Sequence, residues 1–116
     1  MDAIRIEKIV AGWPGVTQDI KWGDDLVFSV ASKMFVVTCF RGPQQGTFSF
    51  KVPDERFLEF TDRHGIVPAP YMARARWVMV LPDAKLAKGE LATLLRQSYE
   101  LVRAKLPKKT QRELDA

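Results

Sequence analysis

Among 116 residues the chain has one cysteine, Cys39, and one histidine, His64. A lone thiol forms no internal disulfide and builds no thiolate cage for a metal, which fits a reducing compartment. No apolar run approaches the roughly 18 residues of a membrane-spanning helix. The opening Met1-Asp2-Ala3-Ile4-Arg5 has none of the long apolar stretch of a secretory signal, so a cytoplasmic location is expected. Internal repeats and low-complexity stretches are also absent. So is a glycine-rich phosphate loop, because residues 42–46 enclose Pro43 and two glutamines and are not followed by Lys-Ser or Lys-Thr.

Catalytic groupings are equally scarce. Acyl transfer needs a nucleophile, a base within hydrogen-bond reach and a group that orients the base. His64 falls just before Gly65, at the end of a predicted helix, where an imidazole serves the free helix carbonyls. Cys39 lies in an apolar strand, expected on the face of Phe35 and Val37, and reads as a packed thiol. Asp24-Asp25 marks a turn, and Glu55 with Glu59 sits early in a helix beside Arg56 and Arg63, all structural roles. The expectation is a protein that is not an enzyme and holds neither metal nor cofactor.

What is present is enough for one folded unit, expected to span residues 1–116. Hydrophobic residues make up 47% and charged residues 28%, ordinary globular usage. The net charge is +4, of which +3 lies in residues 103–116, where Arg103, Lys105, Lys108, Lys109 and Arg112 face only Glu113 and Asp115. Attraction for polyanions is therefore concentrated in a basic C-terminal tail from about residue 103.

Asp2 is placed to cap a first helix whose apolar residues Ala3, Ile6, Ile9 and Val10 keep helical spacing up to Gly12 and Pro14. Strand-like runs follow at 20–22, 26–30, 33–40 and 47–52, joined by connections too short for helical crossovers, so they form an antiparallel meander. Residues 55–63 predict a second helix with Phe57, Leu58 and Thr61 on one face. Pro68 and Pro70 make 66–71 an extended loop before a strand at 74–81. Leu91, Leu94, Leu95, Ser98, Leu101 and Val102 then set the stripe of a long helix from about Glu90 that Pro107 closes. The order α-β-β-β-β-α-β-α gives an α+β two-layer sandwich, an antiparallel sheet with helices on one face.

Alternation places Phe48, Phe50 and Val52 on one face of the fourth strand, and sets Trp77, Met79 and Leu81 of the fifth against Arg74, Arg76, Val78 and Val80. Carried through the sheet, it puts Lys33, Lys51, Arg74 and Arg76 on or beside the open face, near Phe35 and Val78. Cations with an aromatic form a platform for nucleic acid, whose phosphates attract charge and whose exposed bases stack. The same residues on the solvent side of a sheet also discourage edge association.

Several blocks, in this order and spacing, resemble the MmcQ/YjbR family of small bacterial proteins. They are Trp13-Pro14-Gly15, Lys33-Met34-Phe35, Phe50-Lys51-Val52, Pro68-Ala69-Pro70-Tyr71, Trp77-Val78, Ser98-Tyr99-Glu100-Leu101-Val102 and Leu106-Pro107-Lys108-Lys109. The resemblance implies a sandwich like the frataxin-like (CyaY-like) and secretion-chaperone-like folds, a double-wing arrangement, and a proposed DNA-binding role. Ala31-Ser32 stands at a turn where relatives are often richer in glycine.

Two functions follow as expectations. In the first, Lys105, Lys108 and Lys109 attract DNA phosphates while Lys33, Lys51, Arg74 and Arg76 position the backbone. In the second, a chaperone-like or interaction module holds a protein partner or a second copy, as a homodimer, through the sheet or the third helix, with Phe35, Val78, Tyr71 and Trp77 mattering more than the lysines. An iron-carrying role like that of frataxins needs an acidic first helix, whereas Asp2 and Glu7 are matched by Arg5 and Lys8.

Overall fold

The computed structural model describes residues 3–115. Asp2, the expected cap of the first helix, lies outside them. Ile6 and Val10, one helical turn apart, bury the inner face of α1 (Ala3–Val10). Six strands follow: β1 (Val16–Lys21), β2 (Asp25–Val30), β3 (Lys33–Cys39), β4 (Phe48–Lys51), β5 (Ile66–Pro68) and β6 (Trp77–Val80). They form one sheet in the order β1-β2-β3-β4-β6-β5, antiparallel throughout. Between β4 and β5 comes the short helix α2 (Phe57–Thr61), and after β6 come α3 (Glu90–Ala104) and α4 (Lys108–Leu114). The fold is the expected α+β sandwich with its helices on one face.

Phe48 and Phe50 of β4, Val78 and Val80 of β6, and Phe28 and Val30 of β2 form the inner face of the sheet. Leu91, Leu94, Leu95 and Tyr99 of α3 close over it, spaced three or four residues apart. Each such side chain contributes about 1.5–3 kcal/mol when fully buried, so this two-layer contact carries the fold.

The meander departs from simple alternation at one place. Phe28 pairs with Val36 and Ser29 with Met34, leaving Phe35 as the extra residue of a β-bulge. Phe35 and Val36 are consequently both in the core, while Val37 and Cys39 line the opposite face. Cys39 therefore shares a face with Val37 but not with Phe35. The β2–β3 hairpin turns on Ala31 and Ser32, with φ of 47° and 67°. Positive φ at both turn residues is the type I′ geometry that matches the strand twist.

Other expectations are corrected. Residues 66–68 are a strand rather than loop, pairing with β6 at the sheet edge, where Pro68 needs no donor. The next strand begins at Trp77, because Ala73–Ala75 is a 3-10 turn and Arg76 has a φ of 62°. Leu58 points to solvent and Phe60 is the buried residue of α2.

The basic tail is not a loose extension. It folds as α4, which returns to the body through Leu114, packed against the core. Gly15 admits that contact, since its φ is 75° and a Cβ there would overlap the Leu114 methyl. Arg103 ties the two ends of this segment, bonding the Gln111 carbonyl at 3.1 Å and the Asp115 carboxylate at 2.5 Å.

Candidate functional site

Lys33 opens β3 just after the type I′ turn, Lys51 closes β4, and Lys105 caps the C-terminus of α3. Because β3 and β4 are antiparallel, the start of one lies beside the end of the other, and α3 stops over the same end of the sheet. The three lysines consequently line one recess of about 260 Å³ with Val102 and Leu106. Lys105 is favoured at its position by the negative end of the helix dipole.

The recess holds charge that no direct ion pair neutralises. Among the described residues no carboxylate lies within 4.0 Å of the Lys33, Lys51 or Lys105 ammonium groups. The Lys51 ammonium donates to the Ala75 carbonyl. Burial pushes its pKa below the ordinary lysine value, the charges of Lys105 and Arg76 push the same way, and Asp54 opposes them. Lys108 and Lys109 stand exposed on the first turn of α4, just beyond this recess in sequence but not lining it.

Neither arginine expected on or beside the open face lies on a strand of the sheet. Arg74 lies exposed on the 3-10 turn before β6. Arg76, turned away by its left-handed backbone, sits 3.6 Å from Asp54 and over the Phe57 ring at 5.5 Å. Phe35 and Val78, expected as their apolar neighbours, are fully buried on the helix side, one through the bulge and the other through its pairing with Phe50.

The open face carries a feature that was not anticipated, a groove of about 630 Å³. Met34, Val37, Met79 and Ser49 pave it, with Asp25 and Cys39 at one side and Trp22 and the 69–72 segment at its margins. Trp77 does not line it and is 4% exposed. Burial pushes the Cys39 thiol up, and the thiol donates to the Arg41 carbonyl at 2.9 Å. Simple alternation separates Met34 from Val37 and sets Met79 away from the open face; the bulge at Phe35 brings the first two together, and β6 adds Met79 by entering the sheet beside β4.

His64 lies beyond the end of α2 rather than in its last turn, and its Nε2 is 3.0 Å from Asp83 Oδ2, both residues exposed. Asp24 pairs with Arg41 at 3.3 Å and Glu59 with Arg56 at 2.8 Å.

Most of the sequence blocks that suggested a family meet around one structural knot. The Trp13 and Phe35 rings each lie 5.3 Å from Tyr99, whose hydroxyl donates to the Pro14 carbonyl at 2.6 Å. Arg96 covers the Trp13 and Tyr99 rings at 5.0 and 4.8 Å. Ser98 joins Phe35 to Lys51.

A comparison with curated proteins finds no match. Among solved structures, the Deinococcus radiodurans protein DR2400, with a DUF419 domain, superposes with a TM-score of 0.83 at 29% identity, over 98% of this chain and 88% of that one. A Pseudomonas syringae protein shares the fold, with a TM-score of 0.71 at 21% identity, over 87% of this chain and 98% of that one. The YjbR family profile matches residues 11–101. With Trp13, Phe35, Ser98 and Tyr99 all inside that span, the chain belongs to the YjbR family.

Proposed function

We propose that this domain binds the phosphate backbone of DNA, acting by binding rather than by turnover. The observation that carries the reading is the convergence of Lys33, Lys51 and Lys105 on one recess with no carboxylate in ion-pair range. Like charges held together raise one another's energy, and an anion entering between them relieves that repulsion. Phosphate oxygens supply such charge at regular spacing, and Lys108 and Lys109 on α4 extend the positive surface along the chain.

Partner binding through the sheet by Phe35, Val78, Tyr71 and Trp77 is less well supported. Three of the four are buried, and Tyr71 alone is exposed. The Cys39 thiol is held protonated against a carbonyl, which fits a non-catalytic role.

Anisotropy titrations of labelled duplex and single strand at several salt concentrations test the proposal. Neutralising three to five phosphates gives a slope of log affinity against log salt of roughly −3 to −5, from affinities on the order of 10⁻⁴ to 10⁻⁶ M. Replacing Lys33, Lys51 and Lys105 together by glutamine is expected to flatten that slope by about 2 to 3. Absence of binding at low salt, or an unchanged slope in the triple variant, overturns it.

A further inference from the structure

The groove on the open sheet face is chemically unlike the lysine recess. Its floor is apolar and soft, with Met34 and Met79 beside Val37, and thioethers adapt to irregular ligands. Its volume, about 630 Å³, falls within the range of small-molecule sites. Its charge is negative: Asp25 lines it, and no cation lies within 4.0 Å of that carboxylate among the described residues, Lys21 across the strand pair included. Asp19 stands on the same face of β1, opposite Val27. A nucleic-acid backbone is repelled here.

Two aromatic residues border the groove, and both are exposed: Trp22 at 68% and Tyr71 at 106% of full accessibility. Each is held at positive φ, 53° and 65°. Such backbone costs a bulky residue about 1–2 kcal/mol, and glycine would adopt it without that cost. Five described non-glycine residues have positive φ. Ala31 and Ser32 make the β2–β3 turn, Trp22 with Gly23 (φ 80°) makes the β1–β2 turn between Lys21 and Asp25, and Arg76 leads into β6, so hairpin and strand-entry geometry account for four of them. Tyr71 is the fifth, and it borders the groove. Strain of this kind gathers at ligand-binding positions.

We propose that the groove binds a small organic cation, an amine or quaternary ammonium on an apolar body, with its charge received by Asp25 and the Trp22 ring and its body lying on Met34, Val37 and Met79 toward Tyr71. Aromatic faces attract cations through their quadrupole, and a half-buried carboxylate adds an opposite charge. The Asp25 carboxyl supports this, since burial raises its pKa, the neighbouring Asp24 adds to the rise and the Cys39 thiol opposes it. A cation brought beside it relieves that penalty.

The test follows the methyl signals of Met34, Met72 and Met79 by NMR in the full-length protein titrated with benzyltrimethylammonium, benzyl alcohol and benzenesulfonate. The cation is expected to shift these signals saturably and to bind about tenfold or more tighter than the other two compounds. Asp25→Asn is expected to weaken it about tenfold and Trp22→Ala about fivefold, with Trp22→Phe restoring most of the loss. Thermal melts of the three variants, expected to match the parent, separate a lost contact from a lost fold. Equal binding of the sulfonate or the alcohol, no response to Asp25→Asn, or no shift with the cation overturns the proposal. So does a dimer by equilibrium sedimentation in which the three methyls change with protein concentration, because a second copy then fills the groove. DNA affinity retained in Asp25→Asn separates this site from the lysine recess.

Discussion

The Ser98 hydroxyl donates to the Phe35 carbonyl at 2.6 Å and accepts the Lys51 backbone N–H at 2.9 Å. The β3–β4 ladder ends at the Val36–Phe50 pair, so a helix side chain continues the hydrogen bonding where the bulge has interrupted it. Ser98→Ala leaves a donor and an acceptor without partners in a buried position. A loss of about 2–3 kcal/mol is expected, read by urea denaturation as a lower midpoint at unchanged slope.

The Ala31-Ser32 turn predicts a change in the opposite direction. Both residues hold positive φ, which asparagine and glycine tolerate better. Ala31→Asn with Ser32→Gly is expected to stabilise by about 1 kcal/mol and raise the melting temperature by about 4 °C, as calorimetry would show.

Arg63 holds Glu90 in a two-pronged pair at 2.6 and 3.0 Å, joining the segment after α2 to the start of α3. The Arg63 hydrogen bond pulls the Glu90 carboxyl below its usual value, burial opposes this, and the Ala87 N–H adds to the lowering. A depressed folded pKa means that the contribution is complete above the unfolded value near 4.5 and fades as pH falls through the lower folded value. Solvent reaches both side chains, so Glu90→Gln should cost only about 1 kcal/mol at pH 7. The gap between parent and variant should close on acidification below pH ~4, measured by denaturation across pH.

Lys105 and Lys51 repel one another, which makes their coupling measurable. Lys105→Gln removes a like charge and is expected to raise the Lys51 pKa toward its ordinary value. Titration of the Lys51 side-chain carbon and proton shifts by NMR checks the direction. An unchanged Lys51 would separate the two ammonium groups.

Legibility followed the locality of the forces. Phe48 and Phe50 were readable as core because a plain strand alternates, and Leu91, Leu94, Leu95 and Ser98 because a regular helix has a fixed period. Phe35 escaped that logic because its face is set by one residue too many relative to β2, a fact about the partner strand. Arg76 escaped because a left-handed backbone is not expected of arginine. The individual lysines stood out, yet their meeting depends on α3 ending over the start of β3 and the end of β4. The 630 Å³ groove was hidden for a similar reason, since its walls come from β2, β3, β4, β6 and three loops.

The two borders of the sheet are unequal. On one side β5 offers only three residues, and Pro68 contributes no N–H. On the other, β1 offers six residues, exposed over most of their length. A strand from outside therefore finds a usable template on one border only. Two copies meeting there through β1 would each exhaust it, so the architecture permits closure into a pair and withholds the repeating contact from which a fibre grows.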